Sequence, residues 1–228
     1  MEKASHFSTI ALLIGEPARA TMLWRIMDGG MHTATELAIA ADLSAQNASM
    51  HLSKLVKAGL LSVVKRGRLK YYQFTNPNVA YVMESISNLM PKDNLMPPDD
   101  PSNTSRIKYC RTCYDHLAGK VGVAITDKLM SKNIIEMKNH EFVISKKGIQ
   151  WFDHLDISIP ELQERKRVLA RKCLDWSEKR PHISGAVGAA FADRLFDLKW
   201  LQRSRNSRIV SITPLGQKKI YELLGLVV

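Results

Sequence analysis

The chain is poor in cysteine: three in 228 residues, too few and too odd a number for a disulfide framework, which points to a reducing compartment, the cytoplasm. No apolar run approaches the 18 residues that a membrane span needs, so a membrane partner is not expected. The first residues, MEKASHFST, lack the apolar core of a secretion signal. There is no glycine-rich phosphate loop, G-x-S-x-G elbow, H-E-x-x-H helix or paired-carboxylate motif. Asp115-His116 and Asp153-His154 are isolated pairs without a nucleophile, so the reading is of a protein that is not an enzyme. Acidic charge is also scarce, with 33 Lys and Arg against 22 Asp and Glu for a net charge of +11. What is present is apolar content of 45%, enough for a real core, and a cationic surplus whose first candidate partner is nucleic acid.

Residues 91–105, PKDNLMPPDDPSNTS, hold four prolines and several turn-formers and read as a linker. They separate a domain over 1–90 from a domain over 106–228. The surplus is uneven: 1–90 has nine basic and six acidic side chains, whereas 106–228 has 23 and 13.

The first domain reads as mainly helical. An apolar stretch from Ala4 to Ile14 ends at Gly15, and Pro17 opens a helix that runs to the Gly29-Gly30 stop. Thr33 with Glu36 forms a capping-box pattern before a short helix. Leu43-Ser44 makes a tight turn, and Ser44 caps a helix from Ala45 to Ala58 whose apolar stripe is Ala48, Leu52, Leu55 and Val56. Two alternating segments, Leu61–Lys65 and Lys70–Phe74, flank Arg66-Gly67-Arg68 and predict a hairpin. Asn76-Pro77 opens a last helix. Helix, helix, helix, turn, helix, hairpin, helix is the order of a winged helix-turn-helix, with helices at both ends suited to pairing two subunits.

In that geometry the helix after the turn enters the major groove with its N-terminal residues near base edges. The side chains placed on DNA are Ser44, Gln46, Asn47, Ser49, Met50, His51 and Lys54, with Ser53 and Lys57 further along that face. Gln and Asn pair with adenine, and Ser bonds to bases or phosphate. For His51 two roles stay open, a phosphate contact or packing within the helix. Lys65, Arg66, Arg68 and Lys70 surround Gly67 and suit phosphate contact or minor-groove insertion, the alternative being a solvated loop. Tyr71 and Tyr72 are expected to pack under this wing.

The run from Ala34 to Thr75 resembles the ArsR/SmtB family of winged-helix repressors, most specifically in LSxxxxSxHLxxLxxAGLL (from Leu43) followed by RGRxxYY (from Arg66). The resemblance implies a dimeric repressor that leaves duplex DNA when a signal arrives. The chain departs from the family's metal sensors. Leu37 to Asp42 contains no thiol where a Cys-x-Cys pair is common, and Asn76 to Met90 offers no His and only Glu84. Met50 stands where Arg or His is common. The departures argue against the family's usual metal sensing.

Residues 106–228 contain a duplication, with units at about 110–158 and 173–228. His116–Leu129 aligns without gaps with His182–Leu195, seven of fourteen positions being identical, and Val143–Gly148 matches Ser211–Gly216. Upstream, Cys113-Tyr114-Asp115 matches Cys173-Leu174-Asp175, after which the second copy carries six extra residues, WSEKRP. Each unit reads as helix, strand, Gly and helix, like the back half of a winged helix. The expected fold class is therefore mainly α with small hairpins: an N-terminal winged helix-turn-helix, then two winged-helix-like repeats about a pseudo-twofold axis. Gly119/Gly122 and Gly185/Gly188 are expected to let two long helices approach closely, and Pro160 to Lys179 to be a joining helix. This half also resembles the C-terminal region of long-form ArsR-type regulators, which assigns no signal.

The repeat sets Cys113 and His116 against Cys173 and His182, with Cys110 nearby. Three readings of the set stay open. Two Cys and two His suit tetrahedral zinc; flanking Arg111, Arg171 and Lys172 suit a redox-active thiol; or the cysteines are buried apolar residues and the histidines helix-start hydrogen bonders. A small organic effector in a pocket lined by Trp151, Trp176, Trp200 and Tyr114 is a further candidate signal, and Arg203, Arg205 and Arg208 occupy the place of a second wing. The functional expectation is a sequence-specific DNA-binding regulator, homodimeric, a repressor released by a signal sensed in the C-terminal domain. The rivals are a non-specific architectural DNA binder and a thiol or zinc enzyme carrying a DNA-binding domain.

Overall fold

The computed structural model describes residues 2–90, 101–205 and 207–228. The chain divides into two compact units, one built mainly on residues 1–86 and the other on 104–228. Most of the expected linker, 91–100, lies outside the described residues, but its last residues do not: Pro101 opens α6 (Pro101–Tyr109), a position where its missing N–H costs no helical hydrogen bond.

In the first unit, α1 (Glu2–Gly15) is followed by α2 (Pro17–Arg25). The Glu16 side chain accepts from the N–H groups of Ala18 and Arg19. The buried Arg19 guanidinium turns back, its Nε donating to Leu13 O (2.7 Å) and its Nη2 to Leu12 O (3.0 Å), which satisfies carbonyls of the last turn of α1. A single 3-10 turn, Ile26–Asp28, ends at Gly29, and β1 (His32–Thr33) leads into α3 (Ala34–Ala40). The capping box of Thr33 and Glu36 forms as expected. Ser44 caps α4 (Ala45–Lys57) by accepting from Asn47 N. β2 (Leu61–Arg66) and β3 (Leu69–Phe74) pair through a two-residue turn in which Gly67 takes φ 59°, a left-handed conformation suited to hairpin twist. α5 (Pro77–Ser87) closes the unit. Met22, Leu23 and Ile26 pack with Leu37 of α3, Leu52 and Leu55 of α4 and Leu61 of β2 in one core. The sheet order is β1-β3-β2; β1, two residues long, was too short for periodicity to reveal.

In the second unit α6 precedes β4 (Arg111–Cys113), β5 (His116–Ala118), α7 (Gly119–Ser131), β6 (Ile135–Lys138), β7 (Glu141–Ile144) and α8 (Lys146–Asp153). After α9 (Ile159–Gln163) come β8 (Arg171–Leu174), β9 (Pro181–Ser184), α10 (Gly185–Asp197), β10 (Leu201–Arg203), β11 (Val210–Ile212) and α11 (Pro214–Leu224). Among the described residues the order hairpin, helix, hairpin, helix thus occurs twice. Matching residues do matching work. Ser145 Oγ accepts from Gly148 N and donates to Asn133 O; Thr213 Oγ1 accepts from Gly216 N and donates to Lys199 O.

Two expectations fail here. Pro160 to Lys179 is not a helix: only the turn of α9 forms, and Arg171–Leu174 is a strand. The stretch is rich in exposed Lys, Arg and Glu with little apolar face to bury, and Val168 O and Leu169 O accept instead from Ala186 N and Val187 N at the start of α10. The glycines also serve a different approach. A Cβ on Gly122 would lie 2.6 Å from Leu117 O, and one on Gly188 would lie 2.7 Å from Ile183 O, so each admits the backbone of the hairpin preceding its helix and not another helix. α7 packs against β9 and α10 against β5. Thr126 Oγ1 fastens one crossing, accepting from Ile183 N at 2.9 Å.

Candidate nucleic-acid interface and a buried cysteine-histidine cluster

Helix α4 buries Ala48, Leu52 and Leu55 and leaves the opposite face in water. Ser44, Gln46, Asn47, Ser49 and Lys54 are exposed, and Met50 is 54% exposed, unusual for so apolar a side chain. His51 is set apart from them. It is half-buried, with Nδ1 3.2 Å from Glu16 Oε2 and 3.4 Å from Arg19 Nη1, so it ties α4 to α2. The α4 helix packs against β2, whose hairpin carries Lys65, Arg66, Arg68 and Lys70 exposed around Gly67. Tyr71 and Tyr72 are half-buried; the Arg66 guanidinium lies 5.8 Å from the Tyr71 ring centre, and Tyr72 packs on the core. Hydrogen-bonding groups at the start of one helix and four cations on an adjoining hairpin are the two elements that base reading and phosphate contact require.

A helix-turn-helix domain model matches residues 14–64. An uncharacterized HTH-type transcriptional regulator of Bacillus subtilis, YdfF, is 35% identical over 212 residues, 93% of this chain and 94% of that protein. The chain belongs to the HTH-type transcriptional regulators. It is a DNA-binding regulator of transcription built on a winged helix-turn-helix. Solved structures cover only part of this regulator. NolR from Sinorhizobium fredii is 24% identical with a TM-score of 0.36, covering 39% of this chain and 87% of its own. The homodimeric winged helix-turn-helix domain of Mb0332 from Mycobacterium bovis, a possible ArsR-family regulator, is 19% identical with a TM-score of 0.34, covering 37% and 78%.

The second unit of the regulator holds a different constellation. In the β4–β5 hairpin Cys113 stands directly opposite His116 across a two-residue turn, Tyr114-Asp115, with Tyr114 at φ 59°. In the β8–β9 hairpin Cys173 stands directly opposite His182. The six extra residues of the second copy lengthen the loop without disturbing that pair. Directly opposed residues project from the same face of a hairpin, about 5 Å apart. Because β5 and β9 adjoin, the two faces meet. One ligand atom from each of Cys113, His116, Cys173 and His182 falls within 4.8 Å of every other. The two Sγ atoms are 3.9 Å apart and the two Nε2 atoms 3.1 Å apart. Cys113, His116 and His182 are buried and Cys173 is half-buried.

Each histidine presents its other ring nitrogen to a carboxylate. His116 Nδ1 is 3.3 Å from Asp115 Oδ1, and His182 Nδ1 is 3.4 Å from Asp175 Oδ2. Burial lowers the pKa of His116, but its hydrogen bonds with Asp115 and Cys113 outweigh that and raise it to about 9. Asp115 is desolvated, yet His116 and a two-pronged Arg167 guanidinium hold it well below the usual carboxylate range. Asp175 is wholly buried. Its Oδ2 accepts from Gly119 N (2.6 Å) and Arg111 Nη2 (2.9 Å), and its Oδ1 accepts from Ser177 N and Oγ and from Glu178 N. Arg111, equally buried, lies over the Trp176 ring at 4.8 Å. In the sequence Asp115 stood out only as an isolated Asp-His pair, Asp175 only as its repeat counterpart and Arg111 only as a flanking charge.

Cys110 stands apart from the four. It is buried in the hydrophobic core, and burial pushes its thiol up to about 12, which keeps it protonated. The aromatic residues expected to line one pocket have separate settings: Trp151 packs edge-on with Phe152, Trp200 lies in the core, Trp176 stacks with Arg111 and Tyr114 is exposed. Arg203 lies over Phe196 at 4.0 Å, and Arg208 O accepts from Thr112 N, so these two residues are built into the unit.

Proposed function

We propose that the regulator is a homodimeric repressor that inserts α4 into successive major grooves and rests the β2–β3 hairpin on phosphates or in the minor groove. The observation that carries this reading is the pairing of an exposed polar N-terminal face on α4, Gln46, Asn47 and Ser49, with the exposed cationic hairpin beside it. Ser44, Met50 and Lys54 border the reading face, while His51 acts through Glu16 and Arg19 to fix the angle of α4. The ArsR/SmtB resemblance of residues 34–75 supports dimerisation and repression, and the cytoplasm is where such a protein meets its operator. No described helix is long and apolar enough to cross a membrane. The second unit, with its duplicated order of elements, is the place where a small-molecule or redox signal acts. Such a signal drives release only through different affinities for the free and DNA-bound shapes. The role is regulatory and not catalytic.

The test is base discrimination. Replacing Gln46 and Asn47 by Ala removes two amide side chains able to pair with bases, each such contact being worth about 1–3 kcal/mol of discrimination. Binding to the regulator's own promoter then falls toward its affinity for scrambled duplex while that baseline persists. Unchanged discrimination contradicts the docking of α4.

A further inference from the structure

The buried cluster of the second unit has a chemistry that DNA binding does not use, and the inference drawn from it does not depend on the repressor reading. We propose that Cys113, His116, Cys173 and His182 bind one zinc-class divalent ion in a closed tetrahedral site that fastens the β4–β5 hairpin to the β8–β9 hairpin.

Geometry supplies the first argument. Zinc bound by two thiolates at about 2.3 Å and two imidazoles at about 2.0–2.1 Å makes a tetrahedron whose sulfur–sulfur edge is about 3.8 Å and nitrogen–nitrogen edge about 3.3 Å. The observed edges are 3.9 Å and 3.1 Å. A disulfide needs its sulfurs about 2.05 Å apart.

The surroundings supply the second. Asp115 is hydrogen-bonded to His116 Nδ1, and Asp175 lies 3.4 Å from His182 Nδ1, so a carboxylate stands behind each imidazole on the side away from the sulfurs. The two Nε2 atoms face each other at 3.1 Å with two sulfurs beside them. These short contacts are bridged by protons when the site is empty, and one divalent cation takes the place of those protons on all four donor atoms. His116, hydrogen-bonded to Asp115, has the carboxylate–histidine arrangement that orients an imidazole on zinc; at His182 the Asp175 carboxylate lies 3.4 Å from Nδ1 without a hydrogen bond. All four ligands come from this chain, which marks a structural site and leaves no open position for catalysis.

The third argument is topological. Each hairpin contributes one Cys and one His from an opposed pair, so the ion joins two segments some sixty residues apart in sequence. Binding releases the two thiol protons and the second ring proton of His116, giving a neutral site of one divalent ion, two thiolates and two neutral imidazoles, with no change of oxidation state. The site is unrelated to the positions at Leu37–Asp42, which has no thiol, and Asn76–Met90, which has no His.

The test uses the full chain, purified without oxygen, stripped of metal and titrated with cobalt(II) chloride and then zinc sulfate. The proposal expects one cobalt per chain, with the visible bands of tetrahedral cobalt and thiolate-to-cobalt charge transfer in the near ultraviolet. Zinc should bleach these stoichiometrically. Cys113→Ser and Cys173→Ser each weaken the charge-transfer band and the double variant loses it, whereas Cys110→Ala retains it in full. Chelation lowers the melting temperature of the parent and not of the Cys173→Ser variant. Absence of stoichiometric cobalt binding by the parent overturns the proposal whatever the variants do. So does a Cys113–Cys173 disulfide in protein kept free of oxidant, and so does a Cys110→Ala variant that loses the band while remaining folded. DNA affinity is measured separately, so loss of operator binding does not bear on the metal result.

Discussion

Replacing Asp175 by Asn isolates the buried polar network on which the second unit is built. The carboxylate is fully buried and accepts five hydrogen bonds, two of them from Gly119 N and the Arg111 guanidinium, three from Ser177 and Glu178. An amide replaces one acceptor oxygen by an NH2 donor. In either orientation that donor meets at least two other donors, and Arg111 loses the opposite charge that accompanies it in the interior. Breaking a buried ion pair on one side costs about 3–5 kcal/mol. Urea unfolding followed by tryptophan emission reads this, because three of the four tryptophans, Trp151, Trp176 and Trp200, lie in the second unit. The midpoint of that unit should fall by an amount equivalent to several kcal/mol at constant slope. A double variant, Arg111→Leu with Asp175→Leu, should recover only the part of the loss due to the unpaired Arg111 charge, since it removes both charges but leaves the N–H groups of Gly119, Ser177 and Glu178 without their acceptor. A cost below about 1 kcal/mol for Asp175→Asn refutes the reasoning, because a network of this kind cannot lose its central acceptor so cheaply.

Other consequences follow from equally local features. Gly188→Ala places a Cβ 2.7 Å from Ile183 O and 3.4 Å from the Cβ of His116, and overpacking of this kind costs about 1–3 kcal/mol; an unchanged urea midpoint counts against the close crossing of α10 and the hairpins. In the first unit burial works against ionisation of Asp28, but His32, Gly30 N and Arg25 outweigh it and lower its pKa. Its contribution to stability is therefore complete above about pH 4 and lost as pH falls through the lowered folded value, so the gap in melting temperature between the parent and Asp28→Asn should close in acid. A gap that stays constant down to pH 2 contradicts this. Arg66→Ala with Arg68→Ala should make operator affinity less salt-dependent, by about 1.8 in the log–log slope per protomer if each guanidinium neutralises one phosphate. An unaltered slope removes the wing from the interface.

The first unit was largely legible because its signals are local. Thr33 with Glu36, Ser44 as a cap, the α4 stripe and Gly67 in its turn each act within a few residues, and each element begins or ends within a residue or two of the expected place. His51 could not be placed from sequence, since its partners Glu16 and Arg19 lie on another helix. In the second unit the repeat was legible but its geometry was not. The strands β4, β5, β8 and β9 are three or four residues long and carry no usable periodicity. Their pairing is fixed by tertiary partners such as Asp175 on Gly119 N and Thr126 on Ile183 N. For the same reason Pro160 to Lys179 read as a helix: its charged residues have good helical propensity, which loses when Val168 and Leu169 must offer carbonyls to α10. The four Cys and His residues were legible as a set because the duplication aligned them. The duplication aligned the carboxylates behind the histidines too, but not their roles, since Asp115 pairs with His116 and Arg167 whereas Asp175 pairs with Arg111 and Gly119 N.

The central claim is that α4 reads sequence, and competition binding tests it most directly. The full chain is equilibrated at fixed salt with labelled duplex from its own promoter and challenged with unlabelled promoter or scrambled duplex. The account predicts a preference for the promoter of about 10³-fold or more, sharply reduced by Gln46→Ala with Asn47→Ala. Equal competition by the two duplexes would contradict it and leave a basic protein that holds DNA without reading it.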